Sequence, residues 1–95
     1  MKPRLGRTVY TVYRDSITKS TVAYLGKGSF IIEHFNKGYA YGYEYFYDSY
    51  GLNWFTKLSD AKKAVFDDEY LDEAEKKQLK WRTWGGDYWE LVYKE

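Results

Sequence analysis

The sequence predicts an α+β fold in which an antiparallel β-sheet, a meander of four to five strands plus a C-terminal strand, packs with two helices. Three observations predict it. Residues 8–55 contain short runs of β-branched and aromatic residues separated by Gly, Asn and Asp turn signals. Residues 59–81 change to a helical spacing of apolar positions, and residues 88–93 return to a strand pattern. With 95 residues, the chain is expected to form one compact domain spanning residues 1–95.

The first three strands follow from local composition. Residues 8–13 and 21–25 are dense in β-branched and aromatic residues and predict strands one and two. Gly26 and Gly28 accept the positive φ that a tight hairpin turn requires. Residues 30–35 are therefore predicted to return as strand three.

The fourth strand carries the most distinctive pattern in the sequence, five tyrosines at alternate positions. They follow a turn signal at residues 36–38 and are Tyr39, Tyr41, Tyr43, Tyr45 and Tyr47. A β-strand places alternate side chains on one face, so the opposite face of this strand is small or acidic and includes Ala40, Gly42 and Glu44. We expect the tyrosines to contact a partner if the helices cover the small-residue face, and to be core if the helices cover the rings.

A fifth strand and a first helix follow. Asp48 and Gly51 are the preferred ends of a type I turn, which makes a short strand at residues 52–55 plausible. Ser59 is predicted to cap a helix over residues 60–66, because its hydroxyl can accept a hydrogen bond from a free N–H of the first turn.

A second helix and the last strand complete the prediction. The helix is expected from about residue 68 to residue 81, since its acids come early and its bases late, the order that suits the helix dipole. Residues 88–93 predict a C-terminal strand with Trp89, Leu91 and Tyr93 on one face.

Composition excludes several classes of function. The chain contains no cysteine, which excludes a disulfide framework and a thiolate metal site. Its apolar runs are far shorter than a bilayer span, so we expect a soluble cytoplasmic protein with no membrane partner. His34, the only histidine, matches no zinc signature, and the segment around Lys27 lacks the glycine spacing of a phosphate loop. We therefore expect no enzyme activity, no cofactor and no metal.

Residues 35–43 resemble the first ribonucleoprotein motif of cold-shock and RNA-recognition domains, a basic residue and glycine followed by alternating rings. The resemblance implies rings that stack on bases. It ends at Gly42, which replaces an aliphatic residue. An RNA-recognition domain has a helix between its first two strands and a cold-shock domain is an all-β barrel, whereas here three strands are predicted before the motif and two helices after it. The corresponding alternative function is a single-stranded nucleic-acid-binding module. Its candidate residues are Lys37, Tyr39, Tyr41, Tyr43, Arg7, Arg14 and Lys27.

The acidic stretch at residues 67–75 and the tryptophans that follow it are typical of a protein interface. Carboxylates at helical spacing can imitate a row of phosphates and occupy a basic groove, although they can equally be a solvated helix N-terminus. Trp and Arg are frequent hot-spot residues of protein interfaces, so Trp81 and Trp84, beside Arg82, are candidate interface residues.

In size, aromatic content and lack of catalytic groups, the chain is similar to anti-CRISPR inhibitors of phages and mobile elements. The resemblance implies stoichiometric binding to a host protein that processes nucleic acid, such as a CRISPR effector. A homodimer that forms through an exposed aromatic sheet face is an alternative. The candidate partner-binding residues are Tyr39, Tyr41, Tyr43, Tyr45, Tyr47, Asp67, Asp68, Glu69, Asp72, Glu73, Trp81 and Trp84.

Overall fold

The computed structural model describes residues 2–36, 39–67 and 71–94, and within them the side chains of residues 2–33, 42–67 and 71–94. A curled antiparallel sheet packs with two helices, so the predicted α+β class is confirmed. The strands are β1 (Thr8–Tyr13), β2 (Ser16–Leu25), β3 (Ser29–Asn36), β4 (Tyr39–Phe46), β5 (Trp54–Phe55), β6 (Leu79–Trp84) and β7 (Tyr88–Tyr93). A 3-10 turn (Tyr47–Ser49) follows β4, and the helices are α1 (Leu58–Phe66) and α2 (Glu73–Lys76).

The sheet forks at β2. Its main path runs β4–β3–β2–β1–β5, while β7 also pairs with β2 and carries β6 on its other side. Along one edge of β2, β7 pairs with Ser16 to Thr18 and β3 pairs with Thr21 to Leu25. β1 pairs with the opposite edge of β2, from Ser16 to Thr21. Ten residues of β2 therefore hold both branches together.

The register defines two faces of the sheet, because directly opposed residues lie on the same side. Tyr10 is opposite Phe55, and Val12 is opposite Ile17; we call this side the helix face. Val22 is opposite Ile32, which is opposite Tyr43; we call this side the tyrosine face.

A first core lies on the helix face of the β7 branch. Ile17, Trp89 and Leu91 are buried there with Ala61 and Val65 of α1. The alternating apolar positions of β7 thus face a helix that presents its own apolar side, and α1 contacts β1, β2 and β5.

A second core lies on the tyrosine face, where the sheet curls over its own side chains. Its buried members are Val9, Val22, Phe30, Ile32 and Trp54, all at 0–1% exposure. None of them belongs to a helix. The Trp54 ring closes this core, since it meets Phe30 at 4.8 Å between ring centroids and its Nε1 donates to the carbonyl oxygen of Phe46 at 2.9 Å.

The predicted second helix over residues 68–81 is wrong in extent. Of its described residues, 71–81, only Glu73–Lys76 is helical, and Leu79–Trp84 is a strand instead. Leu79 is buried opposite Tyr93, and Trp81 is opposite Leu91 on the helix face. Burying an apolar side chain of this size stabilises by about 1.5–3 kcal/mol, which exceeds the small helix preference of a few Lys and Gln residues.

Three other boundaries also differ from prediction. β2 begins at Ser16 instead of residue 21, because β7 pairs with its first residues. β5 consists of two residues only. The helix α1 begins at Leu58, with Lys57 at the N-cap and no side-chain cap, so Ser59 lies inside the first turn and does not cap it.

Candidate functional site

The C-terminal end of the tyrosine stripe belongs to the second core. The rings of Tyr45 and Tyr47 stack on Phe30 at centroid distances of 6.1 and 5.8 Å, and the Tyr47 hydroxyl donates to the carbonyl oxygen of Gly26 at 2.7 Å. Burial raises the pKa of Tyr45, and a hydrogen bond with Thr11 acts in the opposite direction. These two tyrosines therefore stabilise the fold.

The rest of the stripe is different. Tyr43 is 50% exposed on the tyrosine face. The backbones of Tyr39 and Tyr41 belong to β4 and lie opposite Asn36 and His34, and their side chains lie outside the described residues. The helix α1 packs on the opposite face of the sheet, against β1, β2 and β5. The tyrosines whose side chains are described, Tyr43, Tyr45 and Tyr47, therefore divide between surface and core instead of forming one contact strip.

An exposed apolar patch occupies the helix face of the β3–β4 hairpin and the adjoining end of β2. Its members are Tyr24, Ile31 and Phe46, exposed by 62, 38 and 59%, and we call them the hairpin patch. Tyr24 is directly opposite Ile31, and Phe46 is a diagonal neighbour of Ile31, within reach of a long side chain. Three large apolar side chains are therefore adjacent on one uncovered sheet face.

A β-bulge places Tyr24 in this patch. The register between β2 and β3 shifts between Val22 and Tyr24, which leaves Ala23 as the extra residue. With the shift, Leu25 comes opposite Phe30 in the second core, and Tyr24 turns to the helix face. Sequence alternation alone cannot show this, because a bulge changes which residues share a face.

Two carboxylates border the hairpin patch. Glu33 and Glu44 lie on the same face and are exposed, and Glu44 accepts a hydrogen bond from the Ser29 hydroxyl at 2.6 Å. Within the described part of β3 and β4, this face carries no Lys or Arg. The patch is therefore apolar with an acidic border. The sequence contains a signal for this patch, because Glu44 and Phe46 alternate with the tyrosines. The candidate residues predicted on this strand, however, lie on its other face.

Trp81 and Trp84 do not form one surface. Trp81 is half-buried on the helix face, where its ring lies 6.1 Å from that of Phe66 and under the ammonium group of Lys62. Trp84 is 53% exposed on the tyrosine face. The strand alternation between them separates the two rings.

Trp84 belongs to a charged cluster on the uncovered face of β6 and β7. Its Nε1 donates to the Glu90 carboxylate at 3.0 Å, the Arg82 guanidinium donates to the same oxygen, and that guanidinium lies 4.7 Å from the Trp84 ring centroid. The hydrogen bonds from Trp84 and Arg82 lower the pKa of Glu90. This cluster holds the exposed indole in a fixed orientation.

The acidic stretch is divided between two helices. Asp67 closes the end of α1 through its backbone N–H, and Asp72 caps α2 by accepting a hydrogen bond from the N–H of Glu75 at 2.7 Å. Glu73 is exposed and pairs with Lys76. Asp68 and Glu69 lie outside the described residues. The continuous acidic helix expected for partner binding is not formed by the residues that the structure describes.

The cations of the nucleic-acid alternative are also dispersed. Arg7 and Arg14 flank the two ends of β1, a separation of about 20 Å at the rise of a strand. Arg14 stacks on Tyr13 at 5.3 Å, Lys27 is exposed in the β2–β3 turn, and Lys37 lies outside the described residues.

Comparison with known proteins adds no assignment. Within the described ranges, no helix is long and apolar enough to cross a membrane. The same residues contain no group of three or more His, Cys, Asp or Glu side chains placed to hold a metal ion. No protein-family model, curated protein or solved structure matches this chain.

Proposed function

We propose that this protein is a non-enzymatic binding protein that docks the hairpin patch onto an apolar protein surface with a basic border. The observation that carries the proposal is the adjacency of Tyr24, Ile31 and Phe46 on an uncovered sheet face, next to Glu33 and Glu44. Contiguous apolar surface of this kind, rimmed by polar groups, marks interaction sites on soluble proteins.

The side chains of the patch have the chemistry that binding requires. Full burial of an exposed Phe or Ile contributes about 1.5–3 kcal/mol, so three such groups supply a useful interface centre. Tyrosine is enriched among interface hot spots. β3 and β4 are strands of eight residues each, and together with β2 they present the patch on regular structure.

The acidic border favours a partner with cations at the corresponding positions. Opposite charges at the edge of an interface mainly accelerate association and exclude wrong partners. Host proteins that process nucleic acid have basic grooves, so the class of partner expected from the sequence, including a CRISPR effector, fits this charge. Glu33 and Glu44 would replace the acidic helix as the groups that meet those cations.

A second copy of the chain fits the patch less well. In a twofold dimer, the same surface faces itself, so the carboxylates of Glu33 and Glu44 would meet those of the second copy. Like charges at an interface are unfavourable. We therefore expect the protein to be monomeric in sedimentation experiments.

The test compares variants in binding to bacterial lysate that contains or lacks an expressed CRISPR effector. Immobilised wild-type protein should retain one host protein in a one-to-one complex. Phe46→Thr and Tyr24→Thr should weaken binding of the purified partner by roughly tenfold or more each, because each loses about 1.5–3 kcal/mol of apolar burial. Threonine is common in strands, so both substitutions should leave β2 and β4 intact.

Leu52→Ser is the matched control, since Leu52 is exposed in the turn before β5 and lies outside the patch. Glu44→Lys should slow association and reverse its dependence on salt. Retention of no stoichiometric protein, or equal binding by the patch variants and the control, would refute the proposal. A wild-type dimer dissociated by Phe46→Thr would also refute it.

A further inference from the structure

A basic groove lies at the start of β1, away from the hairpin patch. It has a volume of about 280 Å³. Its lining consists of Lys2, Pro3, Arg4, Arg7, Thr8, Val9 and Thr56. Three of these residues end in a cation and two carry a hydroxyl group, although the surface of the groove itself is mostly apolar. No carboxylate is among the described residues that line it.

The short length of β5 opens this groove. β5 pairs with β1 only at Thr11–Trp54 and Tyr10–Phe55. Continuation of that register would bring Thr56 opposite Val9, but the chain leaves the sheet there to begin α1. The edge of β1 beside Thr8 and Val9 is therefore left as the floor of the groove.

A tight turn brings two of the cations together. The N–H of Arg7 donates to the carbonyl oxygen of Arg4 at 3.1 Å, and Gly6 between them has a φ of 80°. This is the geometry of a type II turn with glycine at its third position, which holds the Cα atoms of its first and last residues within about 7 Å. The N–H of Gly6 also donates to Val22 at 2.8 Å, which fixes the turn to β2.

Among the described residues, no carboxylate forms an ion pair with the cations of the groove. The ion pairs of the described residues join Lys76 to Glu73 and Arg82 to Glu90, both far along the chain from the groove. Lys2 is instead placed over the Tyr47 ring, with 5.5 Å from its Nζ to the ring centroid. The turn holds the backbones of Arg4 and Arg7 close together, and an anion bound between two such positive charges reduces their mutual repulsion.

We propose that this groove binds a phosphate group carried by a nucleotide or by a nucleic-acid strand. Arginine binds phosphate oxygens through two parallel hydrogen bonds, and Arg4 and Arg7 supply two such groups. Thr8 and Thr56 also line the groove and carry hydroxyl groups that can donate, whereas the Lys2 ammonium lies over the ring of Tyr47, which is not a lining residue. The volume exceeds a single phosphate and leaves room for the group that carries it. The groove shares no residue with the hairpin patch, so the two proposals stand independently.

The experiment is an NMR titration of the full chain, with any affinity tag at the C terminus, at low ionic strength. The probes are inorganic phosphate, a nucleoside 5′-monophosphate and a short oligothymidylate, each against chloride at equal ionic strength. Phosphate-bearing probes should shift the amide signals of residues 2–9 and Thr56. Arg4→Gln and Arg7→Gln should each weaken binding by roughly tenfold or more, the value of a charge-assisted hydrogen bond.

Arg14→Gln is the matched control, because it removes the same charge at the other end of β1. It should leave binding to the groove unchanged. Tighter binding of the mononucleotide than of inorganic phosphate supports a nucleotide site, whereas tighter, strongly salt-dependent binding of the oligothymidylate supports a nucleic-acid strand. Equal binding of all three probes overturns the assignment of a nucleotide or strand as the carrier. No localised shift with any probe, or an equal loss in Arg14→Gln, overturns the assignment.

Discussion

At the scale of single residues, the Glu90 carboxylate shows how a sheet face fixes an exposed ring. One carboxylate oxygen accepts from the indole of Trp84 and from Arg82, while the guanidinium stacks on the indole. Each contact follows from register, because Arg82 lies opposite Glu90, and Trp84 is two residues further along β6. The sequence shows the three residue types but not that they share a face.

Glu90 should remain ionised at a pH where an ordinary glutamate is half protonated, about 4.3. Its folded-state pKa is lowered, so its stabilising contribution is present above the unfolded pKa and is lost as the pH falls through the folded pKa. The measurement is an NMR titration from neutral to acidic pH that follows the Glu90 carboxyl carbon and the Trp84 indole N–H. The two signals should change together below the ordinary value.

Two variants provide the controls for this titration. Glu90→Gln should abolish the change in the Trp84 signal, and Arg82→Gln should move the Glu90 transition to higher pH because one donor is removed. Titration of Glu90 at or above the ordinary glutamate value would contradict the geometry.

At the scale of elements, the two helices differ in how they begin. Asp72 caps α2 with its carboxylate, whereas α1 has Lys57 at its N-cap and no side-chain hydrogen bond there. A cation at a helix N-terminus is also unfavourable for the helix dipole. The helix α1 is thus held by packing in the first core, Leu58 and Ala61 in its first turn and Val65 in its last, and not by its cap.

Lys57→Ser should therefore stabilise the protein, by about 0.5–1 kcal/mol, through a new cap and the removal of a charge. In a domain of this size, 1 kcal/mol corresponds to roughly 4–8 °C in Tm. Thermal unfolding measured by circular dichroism tests this. Ser59→Ala is the control and should change Tm little, since Ser59 is exposed inside the first turn. A Tm lowered by Ser59→Ala and unchanged by Lys57→Ser would mean that Ser59 is the cap after all.

At the scale of the whole molecule, one sheet serves two cores on opposite faces. The Cα extents of 42 × 31 × 16 Å describe a thin body. Strands β1 and β2 contribute Val9 and Val22 to one core and Ile17 to the other. Since a single layer of α-helix covers only part of one face, other parts of both faces stay open, which is where the hairpin patch and Trp84 lie.

Because the cores share β1 and β2, we expect the molecule to unfold in one step. Ile17→Val and Ile32→Val should each lower the free energy of unfolding by about 0.5–1.5 kcal/mol. In each variant, urea unfolding curves from tryptophan fluorescence and from circular dichroism should coincide and shift together. Separate transitions, with each substitution moving only one, would show that the cores unfold independently.

The fold class was predictable because hydrophobic periodicity is local. The alternation in β1, β4 and β7 and the helical spacing of α1 all appear in the printed sequence, and Trp89 and Leu91, predicted to share a face, are both buried. The candidate site was less predictable. Of its expected residues, Tyr45 and Tyr47 are largely structural, and Trp81 packs against Phe66.

The sequence by itself determined the element types over most of the chain and the two-sided character of the tyrosine strand, since both depend on neighbours a few residues apart. Tertiary structure decided the rest. Pairing with β7 made β6 a strand, the bulge at Ala23 turned Tyr24 outward, and the curl of the sheet drew Tyr45 and Tyr47 into a core. Each of these depends on contacts between distant segments, and local propensities of less than about 1 kcal/mol per residue cannot encode them.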